Sequence, residues 1–169
     1  RRPVLCAALT QNISMNALQS ELYHLEGELG SLDRLLIRRH PLTSVGVLKA
    51  LGVNNPDWLE AVALHHERCD GSGYPFGLRE DAIPLNAHLI GAADTYCASV
   101  SARGYRAGRP PHEAIRTLFM NGGTVVNERL GRLLVKTLGL YPPGSVIELR
   151  NRRLALVIER GEQMDQPRV

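Results

Sequence analysis

The chain has 169 residues, 44% of them apolar and 22% charged, with a formal net charge of +3. That length and mixture suit one globular domain with room for a small appendage. The charge is too small to mark a surface for polymeric nucleic acid. Aromatic residues make up only 5%, so the core must be built from Leu, Val, Ile and Ala, which suits closely packed helices. No apolar run approaches the roughly 18 residues that cross a bilayer, and no secretory leader is visible, so no membrane contact is expected. Cys6, Cys69 and Cys97 stand apart without a CxxC spacing. They read as free thiols of a reducing, cytoplasmic compartment. The chain opens abruptly at Arg1 inside a helix-permissive stretch, which predicts a domain belonging to a larger multidomain protein.

Pro3 to Ile13 is apolar and helical in pattern, with Leu5, Ala8, Leu9 and Asn12 on one face. Asn16 to Leu29 carries Leu18, Leu22, Leu25 and Leu29 at helical spacing, weakened by Gly27. Ser31 is an N-cap for a helix to His40, which Pro41 ends or kinks. Thr43 to Leu51 reads as a further short helix stopped by Gly52. Asn55-Pro56 starts a helix through Trp58, Leu59 and Val62 to His66. Cys69 to Leu85 is a long loop, and loops of that length are usually functional or mobile. Asn86 caps the next helix, HLIGAADTYCASV. A loop carrying Arg103, Arg106 and Arg109 follows. Helices then start at Pro111 and at Asn127, the second with Leu130, Leu133, Leu134 and Leu138 on one face. After Tyr141 the period changes to alternation, SVIELR and LALVIE, which predicts a β-hairpin turning at Asn151-Arg152. The expected architecture is all-α, a helical body over 1–140, with a small C-terminal β-hairpin over 141–160 and a polar tail over 161–169.

Several residue groups can carry chemistry. His65 and His66 close an apolar helical run and are followed at once by a glycine-rich turn, CDGSGYPFGL. Imidazole is the commonest protein metal ligand. The alternative is a surface His-His-Glu at a helix terminus. His40 and Asp94 sit on otherwise apolar stripes. A carboxylate facing inward is costly unless paired or bound to a cation, and Asp with several His is the mix a catalytic divalent metal uses. The alternatives are a core His40 bonded to a carbonyl, and Asp94 paired with Arg103 or Arg106. Arg103 and Arg106 flank Gly104-Tyr105, a pattern suited to clamping phosphate, and equally to a solvated basic loop. Tyr74-Pro75 offers a rigid platform for a flat ligand or a partner protein, or is turn chemistry alone. His24, His88 and His112 are scattered and read as structural or exposed.

Taken together, RRHP at 38–41, HHERCDGSGYPFGL at 65–78, AADTY at 92–96 and SARGYR at 101–106 resemble the HD-GYP domain, a bacterial branch of the HD hydrolase superfamily. YPPGSVIEL at 141–149 resembles the hairpin that often closes such proteins. The resemblance implies an HD-superfamily helical bundle, hydrolysis of cyclic di-GMP, and a bi- or trinuclear iron or manganese centre. It implies metal ligands at His40, His65, His66 and Asp94, phosphate contacts at Arg103 and Arg106, and a Gly73-Tyr74-Pro75 loop that contacts ligand or docks GGDEF-domain diguanylate cyclases. One departure stands out. The family's name-giving segment reads roughly AALLHDIGK, and here it is AALTQNISM. Gln11 replaces the histidine, Asn12 the aspartate, Ser14 the glycine and Met15 the lysine. Neutral amides are poor ligands for hard divalent ions, and Asn12 cannot bridge two of them as a carboxylate does. At most one divalent ion, Fe or Mn, is expected, held weakly or not at all. The leading expectation is therefore a degenerate HD-GYP domain, impaired in hydrolysis and acting as a receptor or docking module. A working phosphodiesterase with an altered metal site, and a purely structural or oligomerisation domain, are the alternatives.

Overall fold

The computed structural model describes residues 2–24, 27–102, 107–120, 122–124, 126–163 and 165–169. Helix α1 (Arg2–Thr10) runs into a turn, a short 3-10 segment (Ile13–Met15) and helix α2 (Asn16–Tyr23). The face of α1 that carries Leu5 and Leu9 is the outer one: both are exposed, while Val4 and Ala7 enter the core. Three- and four-residue spacings fit more than one stripe on so short a helix, and tertiary packing chose the other. Helix α2 ends at Tyr23 rather than Leu29.

Helix α3 (Ser31–Ala50) joins the two helices expected on either side of Pro41. Its N-cap is Gly30 rather than Ser31, and Asp33 reaches back to accept the Gly30 N–H at 2.9 Å. Pro41 lacks the N–H that would bond the carbonyl of Ile37 four residues earlier. The His40 ring answers that carbonyl instead, with Nδ1 at 2.6 Å from Ile37 O. The helix therefore passes the proline without leaving an orphaned acceptor in the interior.

Helix α4 (Pro56–Leu64) starts as the sequence predicts. Asn55 Oδ1 accepts the Trp58 N–H at 3.0 Å, and Pro56 sits in the first turn, where no N–H is needed. Helix α5 (Leu85–Val100) begins just after Pro84, so Asn86 lies inside it rather than capping it. Helix α6 spans Pro111–Met120, and α7 (Glu128–Leu138) is capped by Asn127, whose Oδ1 accepts the Leu130 N–H. Strands β1 (Val146–Glu148) and β2 (Leu154–Leu156) pair antiparallel, Val146 opposite Leu156, as the predicted hairpin. Its turn carries Arg152 at φ 62°.

The core lies where α1, α3, α4 and α5 meet, around Ala7, Leu48, Ala61, Val62 and Ile90. Small residues there let backbones approach. Most notably, a Cβ on Gly91 of α5 would stand 2.4 Å from the carbonyl oxygen of His65. Only a hydrogen fits, so α5 lies directly against the end of α4. Helices α6 and α7 pack on the far part of α5 through Ala92, Leu118 and Leu130. No described helix is long and apolar enough to cross a membrane.

Candidate functional site

The middle of one helix and the end of another bring three imidazoles together. His40 comes from the middle of α3, and His65 and His66 from the turn that closes α4. One ring nitrogen from each lies within 4.8 Å of the others. His40 and His65 are 4% and 2% exposed. Each has its Nδ1 against a backbone carbonyl, Ile37 O at 2.6 Å and Val62 O at 2.7 Å. A carbonyl only accepts, so each Nδ1 carries the proton and each Nε2 presents a lone pair. Those two Nε2 atoms face one another at 3.3 Å.

Burial keeps both rings neutral. It pushes the His65 pKa down to about 4, against the raising effect of the Val62 carbonyl and with a smaller lowering contribution from His40. It lowers His40 as well, opposed by Ile37 O and by Asp94. Two neutral acceptors in this arrangement repel unless a cation lies between them. Nitrogens bound at about 2.0–2.1 Å to one tetrahedral ion stand about 3.3–3.4 Å apart, which matches the observed spacing. Donation of the far ring N–H to a carbonyl is also how metal-binding histidines are commonly oriented. The triad fits one divalent ion.

The carboxylate next to this triad is differently engaged. Asp94, on α5, has the side-chain amides of Gln11 and Asn12 directed at a single oxygen, Oδ1, at 3.3 and 3.5 Å. Both contacts are longer than the usual 2.9–3.0 Å or so, so they orient the groups more than they bind them. They also turn amide N–H groups, which cannot ligate a cation, toward the carboxylate. The Oε1 of Gln11 is buried without a hydrogen-bond partner. Nothing in this pair supplies the charge that a second ion would need. Ser14 fastens the segment to α3: its hydroxyl donates to His40 O at 3.0 Å and lies 2.9 Å from Ser44 Oγ.

The Gly73-Tyr74-Pro75 loop folds over the third imidazole. The Tyr74 ring stacks on His66 with centroids 4.6 Å apart and an interplanar angle of 27°, and the Arg38 guanidinium lies 5.4 Å over the same ring. Tyr74 N–H donates to His66 O at 3.1 Å. The approach needs Gly73, since a Cβ there would fall 2.4 Å from Arg68 N and 2.6 Å from His66 O. The sequence leaves Tyr74-Pro75 as a platform for a flat ligand or a partner protein, or as turn chemistry; in the structure one contact of the Tyr74 ring is with a candidate metal ligand.

A cavity of about 600 Å³ opens beside these groups, lined among others by Asn12, Met15, His40, His65, His66 and Asp94. Gln19 and Tyr23 of α2 and His88 of α5 also line it. These three were not singled out as site residues in the sequence, because only the fold turns α2 and the start of α5 toward the triad. The volume is ample for a nucleotide-sized ligand. Arg103 and Arg106 lie outside the described residues.

Comparison with known proteins fits this geometry. A family model described as "HD domain" matches residues 1–128. The chain belongs to the HD domain family. A cyclic di-GMP phosphodiesterase of Pseudomonas aeruginosa is 34% identical over 164 residues, 96% of this chain and 39% of that protein. A cyclic di-GMP phosphodiesterase of Thermotoga maritima is 32% identical over 125 residues, 65% of this chain and 34% of that protein. A 3′3′-cGAMP-specific phosphodiesterase of Vibrio cholerae is 31% identical over 118 residues, 70% of this chain and 27% of its own length. This HD domain thus spans about two fifths or less of each of these three relatives. In structure it is similar to an HDG"Y"P protein from Bdellovibrio bacteriovorus, with a TM-score of 0.53 and 16% identity over 78% of this chain and 49% of that one. That likeness is one of fold. The HD-domain match and the cyclic di-GMP phosphodiesterase relative agree with the resemblance of the HHE…GYP stretch to HD-GYP domains.

Proposed function

We propose that this HD domain is a cyclic-dinucleotide receptor, with cyclic di-GMP as its ligand and hydrolysis impaired. The observation that carries the reading is the pair of amides, Gln11 and Asn12, directed at Asp94 where the family's segment has His-Asp. The triad His40, His65 and His66 holds at most one divalent ion, iron or manganese, with Asp94 beside it. Such an ion, when bound, polarises a phosphoryl oxygen and lowers the pKa of a bound water. Around it the chain's own residues divide the remaining work. His40 and His65 present preset Nε2 lone pairs, and Tyr74 keeps His66 in place. Gln11 and Asn12 supply N–H donors but no base and no bridging charge, so a water in the cavity gains no proton acceptor from them. Arg103 and Arg106 are assigned to the ligand phosphates. The Gly73-Tyr74-Pro75 loop, with Phe76 exposed beside it, is assigned to docking of GGDEF-domain partners.

The intact nitrogen set of the triad favours a second reading, slow hydrolysis through a single ion. Titration calorimetry with cyclic di-GMP in the presence of Mn²⁺, followed by chromatography of the cell contents, separates the two. The receptor reading expects micromolar or tighter binding and intact nucleotide. No binding contradicts it, and recovery of pGpG or GMP moves the weight to the second reading.

A further inference from the structure

Glu67 follows His66 directly and is 6% exposed. A carboxylate so placed must be matched by donors or a cation. Here both oxygens are used by backbone: Oε1 accepts the Phe76 N–H at 2.7 Å and Oε2 the Leu78 N–H at 2.8 Å. The two donors come from the loop that carries Tyr74. One side chain therefore spans the gap between the His65–His66 turn and the far limb of that loop. Tyr74, two residues before Phe76, is thereby held where its N–H meets His66 O and its ring lies on the His66 ring.

The three imidazoles are thus supported in two ways. His40 and His65 have their Nδ1 on carbonyls, while the His66 ring lies between the His65 ring at 4.1 Å and the Tyr74 ring at 4.6 Å, whose loop a carboxylate holds. We propose that Glu67 is a positioning residue, acting through the Gly73–Leu78 loop and Tyr74 to set the orientation of the His66 ring. The proposal rests on the metal-triad reading only for its consequence in affinity. The orientation of His66 itself does not depend on a metal.

Glu67→Gln is nearly isosteric, yet its amide nitrogen cannot accept a hydrogen bond, so one of the two N–H groups faces another donor. Two readouts test the proposal. In metal-free protein, the His66 ring protons carry a ring-current shift from Tyr74. In Glu67→Gln that shift collapses toward the value in Tyr74→Ala, while Tyr74→Phe retains it. With Co²⁺ as probe, Glu67→Gln weakens binding about tenfold or more, as loss of a group behind a ligand does. It also alters the visible absorption band. The double variant Glu67→Gln/Tyr74→Ala is no weaker than Tyr74→Ala alone, because the two act in series.

An unchanged His66 resonance in folded Glu67→Gln overturns the proposal. So do fully additive losses in the double variant. Should Glu67→Gln fail to fold, Tyr74→Ala decides, because a His66 resonance unmoved by it breaks the chain of action at its last step. Absence of Co²⁺ binding by the unaltered protein contradicts the triad reading instead, and the proton resonances still decide the role of Glu67.

Discussion

The Nε2 atoms of His40 and His65 face one another at 3.3 Å, each ring having placed its Nδ1 proton on a carbonyl. Two lone pairs at that distance are a strained arrangement that a single cation relieves. A divalent ion at about 100 times its Kd adds about 2.7 kcal/mol of stability, which for a domain of this size raises Tm by roughly 5–10 °C. Thermal melts with and without Mn²⁺ or Co²⁺ measure this, and His65→Ala removes the response. An equal rise in His65→Ala places the ion elsewhere.

Pro41 frees the Ile37 carbonyl for His40. Pro41→Ala returns an N–H to that carbonyl, so the His40 Nδ1–H meets a competitor for its acceptor. Nitrogen chemical shifts of the ring report the tautomer. In the unaltered protein they correspond to Nδ1–H, and in the variant they move toward a mixture. A pure Nδ1–H form in both contradicts the role given to the proline.

Stability of the metal-free domain depends on pH through His65. Above about pH 6.5 the imidazole is neutral in folded and unfolded chains alike. Below that value the unfolded ring takes a proton, whereas the folded ring stays neutral down to about pH 4. Stability therefore falls as pH drops through this window and levels off below it, by roughly 3 kcal/mol in all from this group. Urea midpoints between pH 7.5 and 4.5 measure the slope, and His65→Gln reduces it, leaving the part that buried His40 contributes in the same direction.

Two glycines in helices have opposite expectations. Gly91→Ala drives a methyl group to 2.4 Å from His65 O, and the forced backbone shift costs about 1–3 kcal/mol. Gly46, in α3, has nothing within 4 Å of an added Cβ. Gly46→Ala stabilises by about 0.4–1 kcal/mol, chiefly by restricting the unfolded chain. Urea unfolding distinguishes the pair; a harmless Gly91→Ala removes the argument that α5 is seated on the His65 carbonyl.

Much of the site was legible because it is written in short, ordered motifs. His40 before Pro41, the His65-His66 pair, Asp94 and the Gly-Tyr-Pro turn each carry recognisable chemistry, and the structure brings them to one cavity. The helix starts at Asn55 and Asn127 were legible for a local reason: the capping side chain and the helix it caps are adjacent. Other features are tertiary and leave no local mark. Glu67 reads as an exposed acid at a helix end until the loop closes over it. Pro41 reads as a helix stop or kink because the side chain that answers Ile37 O is invisible to periodicity. The inner face of α1 was not legible, because Val4 and Ala7 offer less apolar surface than Leu5 and Leu9, yet α4 and α5 pack against the smaller set.

We propose that Gln11 and Asn12 disable the centre that His40, His65, His66 and Asp94 line. The direct test is an anaerobic assay of cyclic di-GMP with Mn²⁺ or Fe²⁺, with products resolved by chromatography. The unaltered domain is compared with Asp94→Ala and with Gln11→His/Asn12→Asp. The account predicts no product from the unaltered domain above the Asp94→Ala background, and metal-dependent pGpG or GMP from the double variant. Turnover by the unaltered domain of roughly 1 per second or more, abolished in Asp94→Ala, would contradict it.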